Sequence, residues 1–348
     1  MAENRRLLNR IGKWLARDEI ILITGPRRVG KTTLLRLIRE ELIKKGIKEN
    51  KIFTLNLEDM GRKVSFNLTP LTFAEFVDFK DKALLPYLYK MDIPGSIQEK
   101  FLSLLQEYLV YGGLPEIVLT DDKEMKRTLL KEYVNTYLKR DIRFIGGDQD
   151  ILRYNDLLTV IANQVSGLLN TSELSNTVGI PRRKTEQYLE NLILSGLIYV
   201  IPPYFSNVRT QVVKMKKVFL FDTGIRNQLV LNFNEATIRN DHGALFENFF
   251  LNELINAFEK DSICFFRTKS KSEIDFIIKQ NKPLPLELKY KKLKKPEGMK
   301  HLTYFADENK IEKGYLVNLT LNHSRENGPS NLECIDFRKF LASLYEEK

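Results

Sequence analysis

The stretch GPRRVGKT, residues 25–32, spaces two glycines, a lysine and a threonine as G-x-x-x-x-G-K-T. Glycines at the first and sixth positions let backbone N–H groups turn inward around phosphate oxygens. The run EIILITG before it reads as a short buried strand ending at Gly25. KTTLLRLIREELIKKG after it reads as a helix, with Leu34, Ile38 and Leu42 on one face and Gly46 as its stop. A strand, a loop and a helix in that order confirm a phosphate loop, and the helix N-terminus adds its positive dipole end. Gly25, Pro26, Arg27, Arg28, Val29, Gly30, Lys31, Thr32 and Thr33 are therefore expected to hold a nucleotide. Lys31 would reach the β- and γ-phosphates of ATP, and the Thr32 hydroxyl would ligate Mg2+.

A second group lies far downstream. SEIDFIIKQ and LPLELKY read as strands that carry Asp275, Glu287 and Lys289. Side chains alternate with period two along a strand, so Glu287 and Lys289 share a face. Asp275 on a neighbouring strand can face them. Asp275 and Glu287 would then hold Mg2+, and Glu247, from the helix predicted over residues 242–260, would complete the shell. Lys289 would orient or activate water, and the metal would lower that water's pKa and neutralise charge on a phosphate. The alternative reading is plainer: Lys289 as part of the solvated basic run KYKKLKK, and the two acids as isolated edge charges.

The third group is basic. Residues 151–169 predict one helix, 171–177 a second and 182–195 a third, with a turn at Val178-Gly179-Ile180, Pro181 at a helix start and Gly196 as a stop. LIYVIPPY and KKVFLFD follow as two strands. Helix–turn–helix plus hairpin is the winged-helix pattern, in which the second helix lies in a DNA major groove with its first residues at the bases. Here those are Arg182, Arg183, Lys184 and Thr185, with Gln187 one turn on. Such a unit also serves as a protein-interaction module.

Composition sets bounds. The chain has 348 residues, a length for two or three domains, with 43% hydrophobic and 29% charged residues. No apolar run approaches the roughly 20 residues needed to span a membrane. Two distant cysteines, Cys264 and Cys334, argue against a disulfide framework and for a cytoplasmic setting. With three scattered histidines, any metal is expected to be a hard cation on carboxylates. A net charge of +10 fits a polyanion partner. No oligomeric state follows from the sequence.

ITGPRRVGKTTLL, LNLED, GRKVSFNLTPLTFAEF, YGGLPEIVL and YVNTYLKRDI, in that order, resemble the prokaryotic AAA-type ATPases with a C-terminal domain of uncharacterised function. The resemblance implies two further strand–helix units between LED and GR, one ending in a Mg2+-binding Asp-Glu pair (Walker B) and one in a polar sensor residue. This chain runs from Asp59 almost directly to Gly61-Arg62. At roughly 30 residues per unit, about 60 are absent. The surviving core strands would be 20–24, 52–57 and 63–68, with Glu58 and Asp59 as the only local acids. The resemblance also implies a helical lid, in which Arg140 or Arg143 could reach a γ-phosphate.

The element order α-β-β-β-α-β from residue 242, with Asp then Glu-x-Lys, resembles the restriction-endonuclease-like superfamily, the PD-(D/E)xK nucleases. The expected fold is α/β: a shortened P-loop sheet over residues 1–90, a helical lid over 91–150, a winged helix over 151–235 and a restriction-endonuclease-like domain over 236–348. The expected function is ATP binding with Mg2+ and weak or absent hydrolysis, in association with DNA and not with a membrane. The alternatives are a Mg2+-dependent nuclease and a binding-only protein-interaction module.

Overall fold

The computed structural model describes residues 6–15, 20–47, 52, 63–138, 148–205, 215–268, 272–324 and 331–346. Helix α1 (Arg6–Gly12) precedes strand β1 (Ile20–Thr24), the phosphate loop and helix α2 (Lys31–Lys44). Leu34 and Ile38 are buried as their spacing predicts, and Gly46 follows the helix at φ +87°. Strand β2 (Lys63–Asn67) lies parallel to β1, Ile20 opposite Lys63 through Thr24 opposite Asn67. The expected strand 52–57, apart from Ile52, and Glu58 and Asp59 fall outside the described residues. So do Arg140 and Arg143.

A helical stretch follows. It comprises α3 (Phe73–Lys80), α4 (Leu85–Leu88), α5 (Gly95–Tyr111), α6 (Pro115–Val118) and α7 (Lys123–Tyr133). Thr72 and Glu75 close a reciprocal capping box at the start of α3. The break at Gly112-Gly113 has a specific cause. Buried Asp222 accepts from Gly113 N at 2.8 Å and Ile225 N at 2.9 Å, and a Cβ on Gly112 would stand 2.2 Å from Asp222 Oδ1.

Helix α8 (Asp148–Asn163) ends six residues before the expected 169. Its apolar periodicity continues through Leu168 and Leu169, but the backbone has another partner. Ser166 N donates to Val218 O, Val218 N to Gly167 O and Leu169 N to Lys216 O, so the chain runs beside the next hairpin. Helices α9 (Thr171–Val178) and α10 (Arg182–Leu194) follow, with Gly179 at φ +69° closing α9. Strands β3 (Ile198–Ile201) and β4 (Lys217–Leu220) pair antiparallel, and helix α11 (Thr223–Leu229) leaves the hairpin.

Helix α12 (His242–Ala257) opens the C-terminal part and stops short of the expected residue 260. Strands β5 (Ile263–Arg267), β6 (Glu273–Ile278) and β7 (Leu284–Leu288) form an antiparallel meander. Helix α13 (Lys300–Asn309) crosses to β8 (Lys313–Asn318), parallel to β7. Short β9 (His323–Ser324), then β10 (Asn331–Asp336) and helix α14 (Phe337–Glu346) complete it, in the sheet order β5-β6-β7-β8-β10-β9. The expected α-β-β-β-α-β order is present. Both faces of this sheet are covered. Phe276 and Ile278 join the core on the side of α12 and α14, and Ile277 joins Leu302 and Phe305 of α13 on the other. Burial on both faces explains the unbroken apolar run FII in β6.

One apolar cluster runs from Leu7 to Leu344 and crosses all four expected segments. Phe249 of α12 meets Tyr108 of α5 at 5.0 Å between ring centroids and Phe73 of α3 at 5.9 Å, and Phe73 meets Phe337 of α14 at 5.6 Å. Each such pair adds about 0.5–1.5 kcal/mol beyond burial.

Polar side chains on α12 complete the joints. The Asn248 amide accepts from Leu220 N at 2.8 Å and donates to Leu220 O at 2.9 Å, and Asn252 donates to Phe221 O at 2.9 Å. One turn on, Asn256 donates to Thr69 Oγ1 at 2.8 Å. Glu253, fully buried, accepts from Phe73 N at 2.7 Å and the Tyr345 hydroxyl at 2.8 Å. Arg338 of α14, also buried, donates to the carbonyls of Tyr87, Leu88 and Lys90 at the end of α4.

Two predictions follow from α12. Asn248→Ala leaves the N–H and C=O of Leu220 buried without partners, at about 1–3 kcal/mol each. The urea midpoint should fall by the equivalent of about 2–4 kcal/mol with an unchanged slope. Burial raises the Glu253 carboxyl to about 7 from 4.5. A raised folded value gives stability that is complete below the unfolded value and lost as pH climbs through the folded one. Glu253→Gln keeps the acceptor for Phe73 N and removes the titration. The variant should gain on the wild type by about 2–3 kcal/mol between acid pH and pH above 7, read from urea midpoints across that range.

Candidate functional site

The phosphate loop sits where its motif requires, between the end of β1 and the start of α2. Gly25 has φ +132° and Gly30 φ +95°, both left-handed. At Gly25 a second constraint applies: an added Cβ would lie 2.1 Å from Leu68 O, because β2 runs directly alongside. Arg28 also has a positive φ, +58°.

Other elements brace the loop. The Tyr133 hydroxyl at the end of α7 donates to Arg27 O at 3.0 Å. Arg28 pairs with Glu116 of α6 at 2.7 Å. Val29 is fully buried, and Pro26 is buried too. A Cβ on Gly196, just past α10, would stand 3.4 Å from Pro26 Cγ. The loop thus lies close to Gly196, just past the end of the third predicted helix.

Lys31 turns back on its own loop. Its ammonium donates to Gly25 O at 2.7 Å and Pro26 O at 2.6 Å. Burial, then the charge of Arg27, lowers its pKa below the ordinary lysine value. The first turn of α2 carries no acidic residue, Thr32 is exposed, and Gly30 caps the helix with no side chain. These features fit a bound phosphate: an amino group held by neutral carbonyls, beside free helix N–H groups. Lys31 and the loop amides would hold the phosphates and Thr32 the accompanying Mg2+. Strands β1 (IILIT) and β2 (KVSFN) are the only strands of this sheet among the described residues, and neither carries an acid.

The carboxylates also gather. The register Phe276↔Leu286 sets Asp275 opposite Glu287. Asp275 Oδ2 accepts from Leu288 N at 2.7 Å, so the side chain replaces the next ladder bond. Lys289 Nζ donates to Glu287 Oε1 at 2.6 Å, the same-face pair that period two predicts. Glu287 is buried, and its Oε2 has no hydrogen-bond partner among the described residues. Burial, then the charge of Asp275, raises Glu287 to about 7. The same two causes raise Glu247 to about 8, and burial raises Asp275.

A residue absent from the sequence-derived set occupies the middle. Lys217 opens β4 and is 2% exposed. Its ammonium lies 2.5 Å from Glu273 Oε1 and 3.1 Å from Glu247 Oε2. Ser166, at φ +66° beyond α8, donates its hydroxyl to the same Glu247 oxygen. Three carboxylates, Glu247, Asp275 and Glu273, raise the Lys217 pKa against the effect of its burial. Among the described residues no group of three His, Cys, Asp or Glu side chains is placed to hold a metal ion. Glu247, Asp275 and Glu287 are neighbours, but the cation between Glu247 and the strand acids is an ammonium. The set as arranged does not fit Mg2+. In sequence, the one signal for Lys217 was a lysine at the head of the otherwise apolar strand VFLF.

At the basic helix, Arg182 and Arg183 are exposed in the first turn of α10. Arg182 pairs with Glu186 at 2.9 Å, and Lys184 is half-buried over the Tyr188 ring at 5.8 Å. Thr185 is fully buried and cannot face a groove, whereas Gln187 is exposed. No described helix is long and apolar enough to cross a membrane.

Three sequence families match separate parts of the chain. An AAA domain matches residues 17–60, a domain of unknown function (DUF8612) residues 102–237, and a second (DUF4143) residues 242–337. An uncharacterized protein of Mycobacterium tuberculosis is 24% identical over 329 residues, covering 83% of this chain and 74% of its own. One from Methanocaldococcus jannaschii is 26% identical over 224 residues, 63% of this chain and 48% of its own. One from Haemophilus influenzae is 27% identical over 175 residues, 49% of this chain and 40% of its own. No solved structure matches. The AAA match at the N-terminal end and the DUF4143 match at the C-terminal end support an AAA-type, P-loop ATPase-like chain.

Gly25→Ala tests the loop's geometry. It meets both a left-handed φ and the Leu68 carbonyl, so β1 and β2 must separate. Stability should fall by more than about 2 kcal/mol, read as a drop in urea midpoint. Gly243→Ala, where nothing lies within 4 Å of the new Cβ, is the matched control and should cause no comparable loss.

Proposed function

We propose that this chain binds ATP with Mg2+ through residues 25–33, grips DNA with the start of α10, and hydrolyses ATP weakly or not at all. The observation that carries the proposal is the G-x-x-x-x-G-K-T loop between β1 and α2, in a segment similar to an AAA domain. Arriving phosphate competes for Lys31, which must leave the carbonyls of Gly25 and Pro26. The two described strands beside the loop carry no acid to position an attacking water, which is the ground for weak turnover.

DNA binding is inferred from charge placement. Arg182, Arg183 and Lys184 stand in the first turn of α10, against the helix dipole and with no acidic residue in that turn. A phosphate backbone there relieves the conflict. The closeness of Pro26 to Gly196, just past α10, would give the two ligands a shared element. By reciprocity, whatever factor ATP applies to DNA affinity, DNA applies to ATP affinity. The winged-helix and restriction-endonuclease-like assignments, and the four segment boundaries, belong to this proposal.

Calorimetry with ATP and Mg2+ should give saturable binding that Lys31→Ala weakens about 10–100-fold, the worth of a charge-assisted hydrogen bond. Phosphate release should stay near background; brisk turnover lost in Lys31→Ala would overturn the weak-hydrolysis part. Reversing Arg182 and Arg183 to Glu should weaken duplex binding and lower the slope of log affinity against log salt by about 2. An unchanged salt slope would remove the assignment of α10.

A further inference from the structure

The carboxylate cluster gathers oxygen donors of the kind that bind divalent cations, but among the described residues no three of them are placed to hold one, and a lysine stands in its middle. Glu247 comes from α12, Glu273 and Asp275 from β6, and Glu287 from β7. Lys217 comes from the β3–β4 hairpin, a different supersecondary unit. Its position is enforced from three directions. Asn248 and Asn252 of α12 fix the backbone at the end of β4 and just past it, three and four residues on. The chain at Ser166–Leu169 pairs with Lys216 and Val218 on either side of it. The Phe265 ring of β5 lies under the ammonium at 5.5 Å. With 2% exposure, the side chain has no route to solvent, so its charge must be met inside.

Glu247 Oε2 is spent on this arrangement, accepting from both Lys217 and Ser166. Ser166 makes that bond from a left-handed φ, which carries a conformational cost. Glu273 is shared between Lys217 and Arg267, the latter at 3.4 Å. A dication between Glu247 and Asp275 would take the Glu247 oxygen from the ammonium and stand against two lysine charges, Lys217 and Lys289.

We propose that the Lys217 ammonium is the built-in cation of this cluster, standing in for a metal, so that the four carboxylates form a metal-free ionic clasp holding the β3–β4 hairpin to the C-terminal sheet. Removing that charge frees Glu247, Asp275 and Glu287 to close around a divalent oxygen-loving cation. The inference is independent of ATP and DNA binding.

The test is Mn2+ titration by calorimetry on the nucleotide-free full chain, beside Asp275→Asn, Lys217→Gln and the double variant. The wild-type and Asp275→Asn isotherms should coincide. Lys217→Gln should gain at least tenfold in Mn2+ affinity, and Asp275→Asn should abolish the gain. Thermal melts give a second readout: millimolar Mn2+ should raise the midpoint of Lys217→Gln and leave the wild type unmoved. Lys217→Arg, which keeps the charge, should gain no site. Wild-type Mn2+ binding that falls tenfold in Asp275→Asn overturns the proposal, as does a folded Lys217→Gln with no gain. If Lys217→Gln does not fold even with Mn2+, the comparison of wild type with Asp275→Asn decides, coincident isotherms supporting the clasp.

Discussion

The double hydrogen bond between the Asn248 amide and the backbone of Leu220 is the joint on which the arrangement turns. A helix and a strand edge rarely satisfy each other, since helical backbone groups are already paired within the helix. Here a side-chain amide supplies a donor and an acceptor at once, so α12 serves as the missing neighbour of β4. Asn252 and Asn256 add further bonds one and two turns on, donating to Phe221 O and to the Thr69 hydroxyl. Three asparagines on one stripe thus hold the hairpin and the residues after β2 against one helix. The phenylalanines between them fill the remaining faces, which is why α12 is buried nearly all round.

Because β4 is fixed in this way, Lys217 has no freedom in where it delivers its charge. The acids around it raise one another's proton affinity, and the lysines offset part of that effect. A buried ion network of this kind is a poor source of stability but a strong selector of geometry, since any displaced partner leaves a charge unpaired. The phosphate loop shows a milder version. Among the described residues Lys31 is held by carbonyls, which satisfy its protons without neutralising it. One lysine is thereby committed and the other available, and the difference is whether the acceptors carry charge.

Much of this was legible in the sequence, for identifiable reasons. The loop, β1 and α2 follow from a motif whose spacing is itself the geometry. Asp275, Glu287 and Lys289 converge because strand alternation is strict, and two short adjacent strands leave little choice of register. Gly46, Gly179 and Gly196 stop their helices as expected, each at positive φ. What escaped was set at a distance. The periodicity of residues 151–169 gave no hint that Leu168 and Leu169 would leave the helix to pair beside Lys217. Thr185 looked available because helix position was known and burial was not. The asparagine stripe was visible at i, i+4 and i+8 but had no partner within its own segment. Lys217 stood unmarked at the head of KKVFLFD, since only the assembled fold surrounds it with acids.

Arg338 carries one more consequence. Its guanidinium closes the carbonyl end of α4, 250 residues earlier in the chain in the case of Leu88. Glu253 does the same for the amide of Phe73 across 180 residues. As the chain is synthesised, α3 and α4 leave the ribosome long before these partners exist. Their open ends must stay hydrated, or be guarded by a chaperone, until α12 and α14 arrive. Contacts of such long sequence separation place this closing event late. The N-terminal segments can therefore be swapped or shortened in evolution only together with the far helices that finish them.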